Sequence, residues 1–176
     1  IGFLQDTLQT LFSFLTSIMI VASPNPTHDA IVNFIKNTQS NVSIIATNYD
    51  GCMDEALLNS DMHITGTINK DGEIIEDKSH IKLIKMHGSI NWAYCESCQA
   101  SREFDLLDIK KAYTEDKYSY AVMGICKNCG GVRRPLLVPP LSFKFLMFPH
   151  LIDLWNSARQ IIEDADYIIV VGYSFS

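Results

Sequence analysis

Apolar residues recur at helical spacing through Leu4, Leu8, Leu11, Phe12, Leu15, Ile18 and Met19. This predicts a first helix that buries one broad face in a core. The stretch 7–27 carries no charge and is long enough to raise a membrane-spanning reading, but Gln9, Thr10, Ser13, Thr16, Ser17 and Ser23 argue against it. Ser23-Pro24-Asn25-Pro26 stops that helix, and Thr27 is expected to cap a second one running through Ala30, Ile31, Phe34 and Ile35.

The pattern then changes period. Val42, Ile44, Ile45 and Ala46 form a short apolar run without alternation, as expected for a strand covered on both faces of a parallel sheet. Residues 62–68 and 73–76 flank the turn-rich Asn69-Lys70-Asp71-Gly72 and predict a β-hairpin. Residues 81–86 predict another buried strand. Periodicity is lost over 91–131, where Lys110, Lys111, Glu115, Asp116 and Lys117 suggest a solvated excursion. An apolar run resumes at 135–138, residues 150–163 predict a helix through Leu151, Leu154, Trp155, Ala158, Ile161 and Ile162, and 167–171 predicts a final hydrophobic strand. That strand is followed by no helix, as in a piece of a longer protein. The expected organisation is an incomplete α/β domain of parallel strands over 1–90 and 132–176, with an insert at 91–131.

Composition adds little beyond exclusions. With 176 residues, 47% hydrophobic, 19% charged and a formal net charge of −6, the chain can bury a sizeable core. Nothing in that balance supports a basic nucleic-acid surface. No charged start with a cleavage site marks a signal peptide, so a reducing, cytoplasmic setting is expected.

Four of the five cysteines fall in two Cys-x-x-Cys pairs, Cys95 with Cys98 and Cys126 with Cys129. Tetrahedral zinc needs four soft ligands converging on one point, and each such turn presents two sulfurs. The 27 intervening residues exceed the usual ribbon spacing, which a loop or short helix can absorb. Redox activity, which would need one pair, and disulfides, disfavoured in a cytosolic setting, compete with this reading. Four protein ligands leave no open coordination position, so the zinc is expected to be structural. Cys52 reads as a small buried hydrophobe.

In doubly wound α/β folds, ligands bind beyond the carboxyl ends of the strands. Three polar clusters sit there: Thr47-Asn48-Tyr49-Asp50, His87-Gly88-Ser89 and Gly172-Tyr173-Ser174. Each taken singly is an ordinary cap or turn. Together they would furnish one cleft with an amide, a carboxylate, an imidazole and a hydroxyl.

These residues, with Lys85-Met86-His87-Gly88-Ser89, the cysteine pairs, Gly130-Gly131, Arg134-Pro135 and the segment 165–174, resemble Sir2-family proteins in order as well as kind. The resemblance spans 42–176. It implies a Rossmann-like domain that binds NAD, a small zinc-ribbon domain inserted into it, and chemistry at the nicotinamide–ribose bond. On that resemblance Thr47, Asn48 and Asp50 line the cofactor pocket, and Gly172 and Ser174 contact the cofactor. His87 matches the catalytic histidine, a general base toward the ribose hydroxyls, and Asn48 can orient a water or carboxamide without carrying charge.

Thr47 stands where sirtuins usually carry Gln, and Tyr49 where they carry Ile. The aromatic-Gly-acid segment that holds an acyl-lysine peptide after Arg-Pro is replaced by Leu136-Leu137-Val138-Pro139-Pro140. The chain also lacks the family's glycine-rich phosphate loop, which implies weak NAD binding and no activity by these 176 residues alone. Thr-Asn-Tyr-Asp and His-Gly-Ser-Ile-Asn-Trp look more like bacterial Sir2-like domains, several of which hydrolyse NAD in defence against phage. NAD hydrolysis is the favoured expectation, NAD-dependent deacylation of an acylated protein the alternative, and a non-catalytic nucleotide-binding module the third. The sequence leaves the oligomeric state open.

Overall fold

The computed structural model describes residues 2–65, 81–115, 122–138 and 150–173. Three strands, β1 (Ser43–Ala46), β2 (Ile64–Thr65) and β3 (Ile81–Lys85), form a wholly parallel sheet in the order β1-β3-β2. Ser43 to Ala46 lie opposite Lys82 to Lys85, residue for residue. Leu83 and Ile84 are both fully buried although they point to opposite faces. Leu83 packs with Val32 and Ile35 of α2 (Pro26–Asn37) and Met53, Ala56 and Leu57 of α3 (Cys52–Leu58). Ile84 packs with Leu151, Leu154 and Ala158 of α5 (His150–Glu163). The burial of these two neighbouring side chains therefore reflects helices on both faces, each side chain contributing about 1.5–3 kcal/mol.

A second sheet, antiparallel, joins β5 (Ser101–Glu103), β4 (Gly88–Cys95) and β6 (Arg133–Leu137) in the order β5-β4-β6. A register shift between Gly88 and Ala93 breaks the two-residue alternation. As a result Trp92 enters the cluster around α5, whereas Ile90 and Ala93 enter one with Leu106, Ile109 and Tyr113 of α4 (Leu106–Thr114). This shift removes the alternation from β4. The strands reach beyond 91–131 on both sides.

Several expectations need correction. Helix α1 (Gly2–Met19) forms, but Leu11 and Ile18 are exposed while Thr16 and Ile20 are buried, so the packed face is rotated from the one the apolar spacing suggested. Among the described residues no helix is long and apolar enough to cross a membrane. Asn25, not Thr27, caps α2. Its side chain accepts from the Thr27 and His28 amides in a capping box, because Pro26 occupies the first helical position, where a missing N–H costs nothing. Strand β1 is half-buried rather than fully covered. Ile64–Thr65 pairs in parallel with β3, and the rest of the expected hairpin, 66–80, lies outside the described residues.

Residues 167–171 form no strand and are exposed, Tyr167 by 90%. A strand needs a neighbour's backbone to bond to, and no described strand lies beside this one.

Candidate functional site

The loop after β1 and the turn after β3 leave the sheet side by side, because Ala46 lies opposite Lys85 and the Met86 amide donates to the Ala46 carbonyl at 3.0 Å. Tyr49 pins the first of these segments. Its carbonyl accepts from the Ile90 amide at 3.0 Å, and its hydroxyl donates to the Val138 carbonyl at 2.8 Å. Burial pushes the pKa of the Tyr49 phenol above its ordinary value. The Val138 amide in turn donates to the His87 carbonyl at 2.9 Å.

The His87 ring is half-buried between two aromatic rings, Tyr49 at 6.2 Å and Trp155 at 5.9 Å. Trp155 is anchored through its indole N–H to the Met86 carbonyl at 2.9 Å. Gly88 must be glycine. Its φ is +87°, and a Cβ there would sit 2.0 Å from the Leu136 carbonyl oxygen.

Thr47 and Asn48 are exposed on the loop. Asp50 is half-buried, and its Oδ1 accepts from the Cys52 amide at 3.0 Å at the start of α3. Gly172 lies in the exposed segment 167–173, with nothing within 4 Å of where a Cβ would be. Ser174 lies outside the described residues. The structure thus brings the Asn48 loop and His87 to one end of adjacent strands, whereas Gly172 lies in the exposed segment 167–173.

Beneath these residues runs a polar network that the sequence reading missed. Lys85 is 1% exposed and donates to the Asp50 carbonyl at 2.6 Å and to Ser89 Oγ at 2.9 Å, and it pairs with Asp54 Oδ2 at 2.8 Å. Ser89 Oγ donates to Asn91 Oδ1 at 2.6 Å, and Asn91 Nδ2 reaches the Phe104 carbonyl at 2.9 Å. One chain of bonds therefore ties α3, the Asn48 loop and both sheets. A lysine, a serine and an asparagine inside apolar strands were the available signal.

The four cysteine sulfurs lie within 4.8 Å of one another, Cys95 to Cys129 at 3.4 Å and Cys98 to Cys126 at 3.7 Å. Tetrahedral zinc–thiolate bonds of about 2.3 Å place sulfurs about 3.8 Å apart, so the donor set fits zinc. These contacts are far from a disulfide bond of about 2.05 Å.

The two knuckles share one geometry. The Gln99 amide bonds to the Cys95 carbonyl at 2.9 Å and the Gly130 amide to the Cys126 carbonyl at 2.8 Å. Both turns close on a left-handed residue, Gln99 at φ +59° and Gly130 at φ +76°. Gly131 lets the knuckles approach, since a Cβ there would meet Ser97 Oγ at 2.5 Å and Cys95 Sγ at 3.1 Å.

The Asn128 amide leads the groups that draw the Cys126 thiol down to about 6. Arg133 also donates to that sulfur at 3.7 Å. At Cys129 the Gly131 amide favours the thiolate, but the Cys95 and Cys98 sulfurs outweigh it and push the thiol up to about 12. Four sulfurs this close cannot all ionise without a cation among them.

Residues 42–137 match a family model described as a SIR2-like domain. The chain belongs to this family. An NAD-dependent protein deacetylase of Staphylococcus aureus is 28% identical over 174 residues, 98% of this chain and 55% of that protein. One of Staphylococcus epidermidis is 22% identical over 178 residues, 99% of this chain and 55% of that protein. The SIR2-like chain thus spans about half the length of the curated relatives it matches.

A crystal structure of a Sir2 homolog–NAD complex superposes with a TM-score of 0.55 at 19% identity, covering 92% of this chain and 48% of that one. A structure described under sirtuin substrate affinity gives 0.58 at 18% identity, covering 99% and 58%. These likenesses carry the Sir2-like α/β fold with its parallel sheet.

Proposed function

We propose that this chain is part of an NAD-consuming enzyme that cleaves the nicotinamide–ribose bond. The observation that carries the reading is the delivery of the Asn48 loop and His87 to the same end of two register-matched parallel strands, with Tyr49 against the His87 ring. The NAD-dependent deacetylases of Staphylococcus support it at the level of cofactor. Thr47, Asn48 and Asp50 would hold NAD, with Gly172 and Ser174 contributing from the 165–174 segment. NAD supplies the activated glycosidic bond.

His87, oriented by its ring neighbours and by the backbone bond from Val138, accepts a proton from a ribose hydroxyl, a task suited to imidazole near neutral pH. Asn48, exposed and uncharged, orients the acceptor water. Water is the favoured acceptor because no aromatic-Gly-acid segment follows Arg134-Pro135. A second reading, transfer to an acylated lysine of a protein, is favoured by the named activity of the relatives. The zinc knuckles serve as a structural ribbon inserted at 91–131 between 1–90 and 132–176. The protein works in the cytoplasm, without binding membrane or nucleic acid.

The deciding experiment incubates the full-length protein with NAD alone and with NAD plus an acetyl-lysine peptide, measuring nicotinamide. Release without peptide, lost in Asn48→Ala and His87→Ala, supports hydrolysis. Release only with peptide supports deacylation. NAD binding without release in either arm would overturn both in favour of a nucleotide-binding module.

A further inference from the structure

A second group of metal-ligating side chains lies apart from the cysteine knuckles. His28 of α2, Asp50 of the loop after β1 and Cys52 at the start of α3 each present a ligand atom, and all three atoms lie within 4.8 Å of one another. We infer that His28, Asp50 and Cys52 form a cation site for a zinc-like divalent transition metal, distinct from the four-cysteine site.

The supporting contacts leave the right atoms available. His28 Nδ1 lies 2.9 Å from Asn25 Oδ1, so donating its proton there fixes the ring and leaves Nε2 with a free lone pair. A ligand histidine is commonly held in this way through its other nitrogen. The same Nδ1 lies 3.2 Å from the Asn25 amide, a contact belonging to the other tautomer, so metal binding selects between two arrangements already built. Asp50 uses Oδ1 to accept from the Cys52 amide, and its carboxylate also meets the Cys52 thiol, whose proton a cation would replace. Cys52 is 6% exposed, held among packed residues at the foot of α3. Of the neighbouring lysines, Lys110 is engaged by Glu55 at 2.5 Å and by the Ala22 carbonyl at 2.8 Å, and Lys85 by Asp54 at 2.8 Å.

The donor set selects the ion. One imidazole, one carboxylate and one thiolate suit zinc, cobalt or nickel, whereas magnesium and calcium take oxygen ligands only. Binding breaks the Cys52 S–H bond, forms a sulfur–metal bond and releases the proton to solvent, with no change in oxidation state. Three protein ligands leave one position for water, unlike the closed four-cysteine shell. Asp50 would then be shared between the cation and the nucleotide, making the cation a competitor of NAD. That consequence rests on the functional reading above, whereas the cation site does not.

The test titrates cobalt(II) into the full chain after the four-cysteine site has been filled with one equivalent of zinc, which cobalt does not readily displace from such ligands. The expected result is a second equivalent bound, with a near-ultraviolet thiolate-to-cobalt band that disappears in Cys52→Ala. His28→Gln keeps a capping-box residue but removes the imidazole, and should weaken cobalt binding at least about tenfold. Circular dichroism of both variants confirms that they are folded. No second equivalent in the folded protein, or the same band surviving in Cys52→Ala, overturns the proposal.

Discussion

Replacing Lys85 by Met keeps the length of an unbranched side chain but removes the ammonium from a site 1% exposed to solvent. Three partners lose a donor at once: Asp54 Oδ2 at 2.8 Å, the Asp50 carbonyl at 2.6 Å and Ser89 Oγ at 2.9 Å. The dominant cost is the Asp54 carboxylate, left buried without its counter-charge, which is worth about 3–5 kcal/mol. That is a large part of the roughly 5–15 kcal/mol by which a domain is stable. Lys85→Met combined with Asp54→Leu removes both charges. The loss should then fall to about 1–2 kcal/mol, the cost of the two remaining acceptors. Urea unfolding followed by the fluorescence of Trp92 and Trp155, both packed in the cluster beside α5, reads the difference. A single variant within about 1 kcal/mol of the parent, or a double variant no better than the single, would refute the view that this ion pair holds the Asn48 loop to both sheets.

Gly88→Ala should cost about 3–5 kcal/mol, combining a left-handed backbone with a 2.0 Å clash against the Leu136 carbonyl that only movement of β6 relieves. Thermal unfolding measures it, and a Tm unchanged from the parent would contradict the geometry. Zinc removal by a strong chelator should raise hydrogen exchange at 95–99 and 126–131 first, leaving the amides of β1 and β3 protected. Equal deprotection of both sheets would show that the metal supports more than the knuckles.

Elements whose evidence is local were legible in the chain. The apolar run Val42, Ile44, Ile45 and Ala46 announced a strand of a parallel sheet, because residues needed on both faces leave no alternation, and 81–86 announced a second strand. The cysteine spacing announced a tetrahedral donor set because each Cys-x-x-Cys turn can present only a pair of sulfurs to one centre. Cys52 was read as a buried residue and is one. The cap of α2 was misplaced by two residues, since Ser, Thr and Asn all qualify and only the position of Pro26 in the folded helix chooses Asn25.

What the tertiary structure decided depends on partners distant in sequence. The hydrophobicity of 167–171 predicts burial, yet burial and strand pairing need a neighbour that these residues do not meet among those described. Leu11 and Ile18 match Leu15 in apolarity, and only packing determined that they face outward. Lys85 meets Asp50 and Asp54, which lie 35 and 31 positions away in the chain, and His28 meets Asp50 and Cys52 from a different helix. Period and composition record what each segment can bury or bind. Which charge finds which counter-charge, and which ring rests on His87, is settled by the register of β1 on β3 and by the closing of β4 against β6.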